Sequence, residues 1–152
     1  AEATGVDISG SAVAAARRNA ALNGYEKAEF IEANAFDDLR TRSDRGERYS
    51  LIVLDPPAFA KNKASLPGAT KGYKEINLRA MKMLEDGGVL VTCSCSQAML
   101  PALFSDVLQA AARDAGVTLQ QLEWRGPARD HPVLPASPET HYLKCGIFCV
   151  LR

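Results

Sequence analysis

The stretch Tyr49-Ser50-Leu51-Ile52-Val53-Leu54-Asp55-Pro56-Pro57 decides how this chain is read. Its first six residues are largely apolar and β-branched, the pattern of a strand buried on both faces of a sheet. Two prolines then end it abruptly, because neither can continue a hydrogen-bonded ladder. A carboxylate is left at the carboxyl end of that strand. Toward the N-terminus, residues 3–7 and 28–32 read as strands. Residues 12–22, rich in Ala and Arg, read as a helix offered a cap by Ser9 or Ser11 and stopped by Asn23-Gly24. Residues 36–41 read as a short helix before a charged loop, 42–48. Toward the C-terminus, residues 56–70 read as a loop and 73–84 as a helix with an apolar stripe at Ile76, Leu78, Ala80, Met81 and Leu84. A turn at 85–88 precedes a strand at 89–92 that runs into Cys93-Ser94-Cys95-Ser96. Pro101 opens a helix that Gly116 stops. A strand at 118–124, a Pro-rich connection from Pro127 to Pro138 and a last strand at 143–151 complete the chain.

Strands and helices alternate along the chain until the last two strands, which follow each other directly. Such alternation predicts an α/β fold with a mostly parallel sheet, helices on both faces and an antiparallel last strand. With 152 residues there is room for one domain and not for two ordinary ones. The 47% hydrophobic and 24% charged residues are those of a globular chain rather than a disordered one. Eighteen basic residues balance eighteen acidic ones, which excludes a global electrostatic grip on nucleic acid; any basic surface is local. No apolar run approaches the roughly 18–20 residues of a membrane span, and no signal-peptide layout opens the sequence. Cys93, Cys95, Cys145 and Cys149 lack zinc-ribbon spacing, and His131 and His141 lack zinc-finger spacing, so free thiols and no metal are expected. Both histidines read as structural.

Ligands of parallel sheets bind at the carboxyl ends of the strands. The residues there are Asp7, Asn34, Asp55 and Cys95. Each has a mundane role open to it, as helix cap, turn former or small buried hydrophobe. Two carboxylates, an amide and a thiol on one rim instead suggest a site. An acid such as Asp7 can accept bonds from a ribose diol. Asp55-Pro56-Pro57-Ala58-Phe59 offers rigid carbonyls to a planar, amine-bearing base, with Phe59 available to stack on it or to pack as core. Between Pro56 and Lys74 there are four lysines, Lys61, Lys63, Lys71 and Lys74, and no acid: a basic loop suited to phosphate contact or to solvent. Arg40, Arg42, Arg45 and Arg48 alternate with acids and read as a solvated face. Cys93 continues the buried strand, whereas Cys95 lies nearer the rim and has the better case for reactivity, given local activation.

Together, Val6-Asp7-Ile8-Ser9, Asp55-Pro56-Pro57-Ala58-Phe59, Lys71-Gly72-Tyr73-Lys74, Ser94-Cys95-Ser96, Asp130-His131-Pro132 and Tyr142-Leu143-Lys144 resemble the catalytic domain of class I S-adenosyl-L-methionine-dependent methyltransferases. More narrowly, they resemble the RlmI-type 5-methylcytosine methyltransferases of large-subunit ribosomal RNA. The resemblance covers nearly the whole chain and implies a Rossmann-like sheet. It also implies Cys95 as nucleophile and Asp55 as the residue contacting both the target cytosine and the methionine end of the cofactor. By the same resemblance Asp7, Ile8, Asn34, Ala35 and Pro56 join Asp55 around the cofactor, and Pro57, Phe59, Lys61 and Lys63 meet the RNA. Asn34 stands where related enzymes often have an acid reading the adenine amine. The implied enzyme is cytoplasmic, with large-subunit rRNA as partner, no membrane, no metal, and a homodimer left open.

Two departures follow from the same resemblance. The family's N-terminal RNA-binding domain, and its first strand with a Gly-rich turn, have no counterpart in residues 1–152. The expectation is therefore an incomplete catalytic domain, with weak or no cofactor binding by itself and poor stability. Two other readings stand beside cytosine C5 methylation: methylation of an exocyclic base amine, which needs no thiol, and a non-catalytic RNA-binding fragment.

Overall fold

The computed structural model describes residues 2–152. It forms two compact units, one ending at Asp44 and one spanning Arg45–Arg152.

The first unit contains β1 (Ala3–Asp7), α1 (Gly10–Leu22), β2 (Ala28–Glu32) and α2 (Ala35–Asp44). β1 and β2 pair in parallel, with Asp7 level with Glu32, so both strands end on one rim. The Ser9 hydroxyl accepts a bond from the Ala12 N–H at 3.3 Å, capping α1. The helix stops at Asn23, and Gly24 follows at φ +70°, where a Cβ would be strained. α2 runs three residues past the expected 36–41. The Arg42 guanidinium bonds Asp38 one turn back at 2.7 Å, which draws residues of the expected charged loop into the helix.

The second unit contains β3 (Tyr49–Leu54), α3 (Leu66–Met83), β4 (Leu84–Ser94), α4 (Pro101–Ala115), β5 (Thr118–Arg125) and β6 (Lys144–Leu151), with short 3-10 turns at Lys63–Ser65 and Pro138–Thr140. The sheet order is β3-β4-β6-β5. β3 and β4 are parallel, and β6 is antiparallel to both its neighbours, as the missing helix between the last two strands predicts. Leu90, Thr92 and Ser94 of β4 lie level with Phe148, Gly146 and Lys144 of β6 and form one buried face. Tyr73 and Met81 of α3 and Phe104 and Leu108 of α4 are likewise buried to 1% exposure or less. A chain of rings joins the layers: Tyr73 meets Phe104 edge-on at 5.4 Å, and Phe104 meets Trp124 of β5 at 6.3 Å.

Three expectations are corrected here. β3 is not buried on both faces: among the described residues it pairs only with β4, and Leu51 and Val53 are 53% and 59% exposed. The loop expected over 56–70 ends earlier, because α3 begins at Leu66; Pro67 sits in its first turn, where a missing N–H costs nothing. Lys71 and Lys74 thus lie on a helix, not on a basic loop. The turn expected at 85–88 is an irregularity inside one long strand, with Gly87 at φ +76°. Among the described residues no helix is long and apolar enough to cross a membrane.

Candidate functional site

Asp7 and Asn34 stand at the carboxyl ends of β1 and β2. Both are exposed, and both already do local structural work. The Asp7 carboxylate accepts the Ser9 N–H through Oδ1 at 2.7 Å, and the Asn34 amide oxygen accepts the Phe36 N–H at 2.9 Å, opening α2. Each group keeps a free end among the described residues, Oδ2 of Asp7 and the amide nitrogen of Asn34. One carries an acceptor and the other a donor, at the ends of two paired strands. Ile8, 71% exposed, and Ala35 flank them with apolar surface. Glu32 is a neighbour that no sequence motif singles out. Its carboxylate lies so close over Gly10 that a Cβ there would sit 2.6 Å from Oε2. The acid thus lies over the first turn of α1, where the helix dipole favours it.

In the second unit, Asp55 follows the last residue of β3 and is exposed, with no protein partner for its carboxylate among the described residues. Pro56 follows, and the Cys95 thiol makes a long contact with the Pro56 carbonyl at 3.9 Å. Leu54 is level with Thr92 across the parallel pair, so the ends of β3 and β4 bring Asp55, Pro56 and Cys95 together. Cys93 and Cys95 differ sharply. Cys93 is buried, and burial together with the facing Cys145 thiol pushes its own thiol from 9.0 up to about 12. Cys95 is half-buried and points its sulfur at the proline loop. All four cysteines are free thiols; Cys145 lies level with Cys93 and Cys149 with Val89.

Cys95 is bracketed by a buried network that the sequence motifs contain without revealing its bonds. The Ser94 hydroxyl donates to the Tyr73 phenol at 3.0 Å, and the Tyr73 and Ser96 hydroxyls lie 3.0 Å apart. Ser96 Oγ also accepts the Ala60 N–H at 3.0 Å, tying down the end of the Asp55-Pro56-Pro57-Ala58-Phe59 loop. Phe59 packs on Tyr73 with ring centroids 4.6 Å apart. The Lys144 ammonium, 3% exposed, donates to the Ser96 and Tyr142 carbonyls, each at 2.7 Å. Burial pulls this lysine below its usual value, and a Cys95 thiolate pushes it back up. Ser94, Tyr73 and Lys144 are visible in the sequence only as parts of short motifs; the signal that could have found them is a lysine at a strand position destined for the core.

The lysines separate. Lys61 and Lys63 are exposed, with Lys63 opening a 3-10 turn held by Asn62 and Ser65. Lys71 is exposed on α3, and Lys74 is taken up by an ion pair with Asp114 at 2.6 Å. Pro57 is exposed beside Asp55. Arg48, expected to be solvated, instead donates to the Lys82 and Leu84 carbonyls at 2.8 and 3.2 Å. His131 is exposed, 3.4 Å from the Asp130 carboxylate, and His141 is exposed beside Gly126.

A family profile described as methyltransferase domain matches residues 1–131. Ribosomal RNA large subunit methyltransferase I of Klebsiella pneumoniae (strain 342) is 46% identical over 150 residues, which is 97% of this chain and 37% of that protein. The protein of that name from Escherichia coli (strain SMS-3-5 / SECEC) is 47% identical over 146 residues, 95% of this chain and 37% of its own length. The chain therefore spans 37% of the length of these curated relatives. SMU.776, described as a methyltransferase and solved in complex with SAH, matches with a TM-score of 0.82 at 19% identity, over 97% of this chain and 39% of that one. At that identity the likeness is one of fold.

Proposed function

The chain belongs to the methyltransferase domain family, and from that premise we propose that it transfers a methyl group from S-adenosyl-L-methionine to C5 of a cytosine in large-subunit ribosomal RNA. The cofactor and the RNA substrate are supported by the family and by the names of the 46–47% identical relatives. The finer reading, attack through a cysteine, is carried by one observation. The half-buried Cys95 thiol faces the Pro56 carbonyl at 3.9 Å, next to an Asp55 carboxylate with no protein partner among the described residues.

The donor sets fit the cofactor. The free Oδ2 of Asp7 accepts ribose hydroxyls, the Asn34 amide bonds the base edge, and Ile8 and Ala35 give the base apolar contact. When bound, the cofactor supplies the electrophilic methyl group that C5 accepts. The chain's residues make C5 able to accept it, because C5 of cytosine is by itself a poor nucleophile. The Cys95 thiolate adds to C6, forming an S–C6 bond and sending the C5–C6 electron pair to C5. The Asp55 carboxyl, in its protonated form, donates to N3 and so stabilises the negative charge that addition places on the ring. After methylation the C5 proton passes to water, the C5–C6 double bond re-forms, and Cys95 leaves as thiolate. The base must be unpaired or flipped to reach these groups. Lys61, Lys63, Pro57 and Phe59 contact the RNA, the two exposed lysines at phosphates.

The test is RNA carrying 5-fluorocytidine, offered with cofactor to the chain and to a version extended upstream through a Gly-rich turn. With fluorine at C5 the last elimination is blocked, and intact mass with peptide mapping should find a stalled adduct on Cys95. An adduct on Cys93 would keep the reaction and move the nucleophile. Methyl transfer to ordinary RNA with no adduct would favour an exocyclic amine as acceptor. Neither transfer nor adduct from the extended version would leave a non-catalytic RNA-binding fragment.

A further inference from the structure

Cross-strand register sets two of the four thiols directly opposite each other. Cys93 of β4 is level with Cys145 of β6 in the antiparallel pair. Residues so placed point to the same face of a sheet, with Cα atoms about 4.5 or 5.5 Å apart according to the kind of pair. Both spacings fall inside the span of roughly 4.4–6.8 Å that disulfide-bonded residues occupy. The other two cysteines have no such partner. Cys149 is level with Val89, four residues further along β6 and about 13 Å from Cys145. β6 begins at Lys144, level with Ser94, so the ladder ends before Cys95 and no residue of β6 stands opposite it. The Cys95 sulfur turns instead to the Pro56 carbonyl.

We propose that Cys93 and Cys145 form a redox-responsive dithiol, closed by a peroxide into a disulfide that staples β4 to β6. The site is separate from Cys95 and stands whether or not Cys95 attacks a base. Its two thiols have unequal parts. Cys145 is half-buried and takes the first step, whereas Cys93 is 9% exposed. Cys93 also keeps its proton at neutral pH, because burial and the facing Cys145 thiol push it up to about 12. The Cys145 sulfur attacks one oxygen of hydrogen peroxide, the O–O bond breaks, and a sulfenic acid forms while the other oxygen leaves as water with the thiol proton. The Cys93 sulfur then attacks the Cys145 sulfur. The S–S bond forms, the S–O bond breaks, and the hydroxyl leaves with the Cys93 proton as a second water. The dithiol thus loses two electrons and two protons, and the peroxide is reduced to two waters. Ser94 and Lys144 are the next pair on the same ladder, and the Ser94 hydroxyl bonds Tyr73 at 3.0 Å. The staple therefore closes one residue away from the buried network that brackets Cys95.

The test maps disulfides in the parent chain and needs no variant. Reduced protein, freed of reductant, is treated with hydrogen peroxide, and its unreduced peptides are read by mass. The expected product joins the Cys93 peptide to the Cys145 peptide, lighter by two hydrogens, with Cys95 and Cys149 outside any disulfide; a dithiol reductant reverses it. Its yield should exceed that of every other pairing by at least about tenfold, because this pair alone meets the geometry of the bond. In urea the register is gone, and the short loop between Cys145 and Cys149 should close instead. A folded chain that gives the urea pattern overturns the proposal. So does a Cys145 that stays a sulfenic acid, trapped by dimedone, while Cys93 remains a thiol. The oxidised chain should also unfold at a higher urea concentration than the reduced one, because the bond closes a long loop of the unfolded chain. An unmoved or lowered midpoint would mean a bond that strains the ladder, and overturns the staple. Failure of the cytosine reading looks different: 5-fluorocytidine traps nothing while the link between Cys93 and Cys145 still forms.

Discussion

At the Asp7–Asn34 rim each side-chain hydrogen bond of the two key residues closes over two residues of chain. Around Cys95 the bonds close over 21, 23, 36 and 48 residues. The first pair is exposed and held by its own turns; the second group is buried and held by four separate elements. A local turn presents its side chains whether or not distant parts of the chain are in place. The Cys95 segment has its geometry only when α3, β4, β6 and the loop after β3 have all come together. Substitutions in the first region should therefore change ligand binding and spare stability. In the second, substitutions of the residues that make these long-range bonds should cost stability as well.

The largest expected effect is at Cys95 itself. Cys95→Ala should lower methyl transfer to cytosine by at least about a thousandfold, as removal of a covalent nucleophile does. Its thermal unfolding should hardly move, because the thiol donates only across the long 3.9 Å contact to the Pro56 carbonyl. Transfer of labelled methyl at an undiminished rate would take the thiol out of the chemistry and sever the link drawn here between burial and reactivity.

Tyr73→Phe sharpens the contrast from the side of stability. It deletes one oxygen and leaves the buried Ser94 and Ser96 hydroxyls without their shared partner. The expected cost is about 1–3 kcal/mol in urea unfolding, the usual penalty for a buried polar group left unpaired. Asp7→Ala deletes a charged group but breaks only an exposed bond to the Ser9 N–H. Its unfolding free energy should stay within about 0.5 kcal/mol of the parent. Its affinity for S-adenosylhomocysteine, measured by calorimetry on the upstream-extended version, should fall about tenfold or more with the loss of the ribose acceptor. Equal stability losses in the two variants would erase the distinction between the regions.

The same contrast explains what could be read in the sequence. Asp7 and Asn34 are legible because a strand end, a turn and a helix start are neighbours in the chain, and the cap chemistry is written in adjacent residues. The strand of residues 49–54 is legible as a strand from composition, but its exposure is not. Burial on two faces depends on how many strands flank it, and periodicity does not count neighbours. Pro67 misleads for a related reason: proline forbids a helix interior but suits the first turn, and which applies depends on where the helix begins. Asp55 and Cys95 are legible as residues at strand ends. That Tyr73 from α3 bonds both serines beside Cys95, and that Lys144 is buried under the same segment, are facts of packing between distant segments. As members of short motifs, Lys71, Lys74 and Lys144 stand equal. The fold exposes the first, pairs the second with Asp114 and buries the third.

The smallest predicted effect is one of slope, and it arises only in the buried region. Folding lowers the affinity of Lys144 for its proton relative to the ordinary 10.5. Between the lowered value and 10.5 the unfolded chain holds more protons than the folded one, so stability rises with pH across that window. Cys93 acts with the opposite sign. Its thiol is pushed from 9.0 to about 12, so the folded chain keeps a proton that the unfolded chain releases. The stability this contributes is complete below 9.0 and is lost as pH rises toward about 12. The two slopes oppose each other where the windows overlap, and the parent protein should show a shallow net dependence of its urea midpoint in mild base. Cys93→Ala removes the fall, and its midpoint should climb toward pH 10.5. Lys144→Met removes the rise, and its midpoint should decline from pH 9.0 upward. Asp7→Ala, in the region held by local turns, should follow the parent throughout this range, because it leaves both Lys144 and Cys93 in place. If Cys93→Ala and Lys144→Met instead also track the parent, neither group is desolvated in solution as the packing requires, and the buried network around Cys95 is looser than its hydrogen bonds imply.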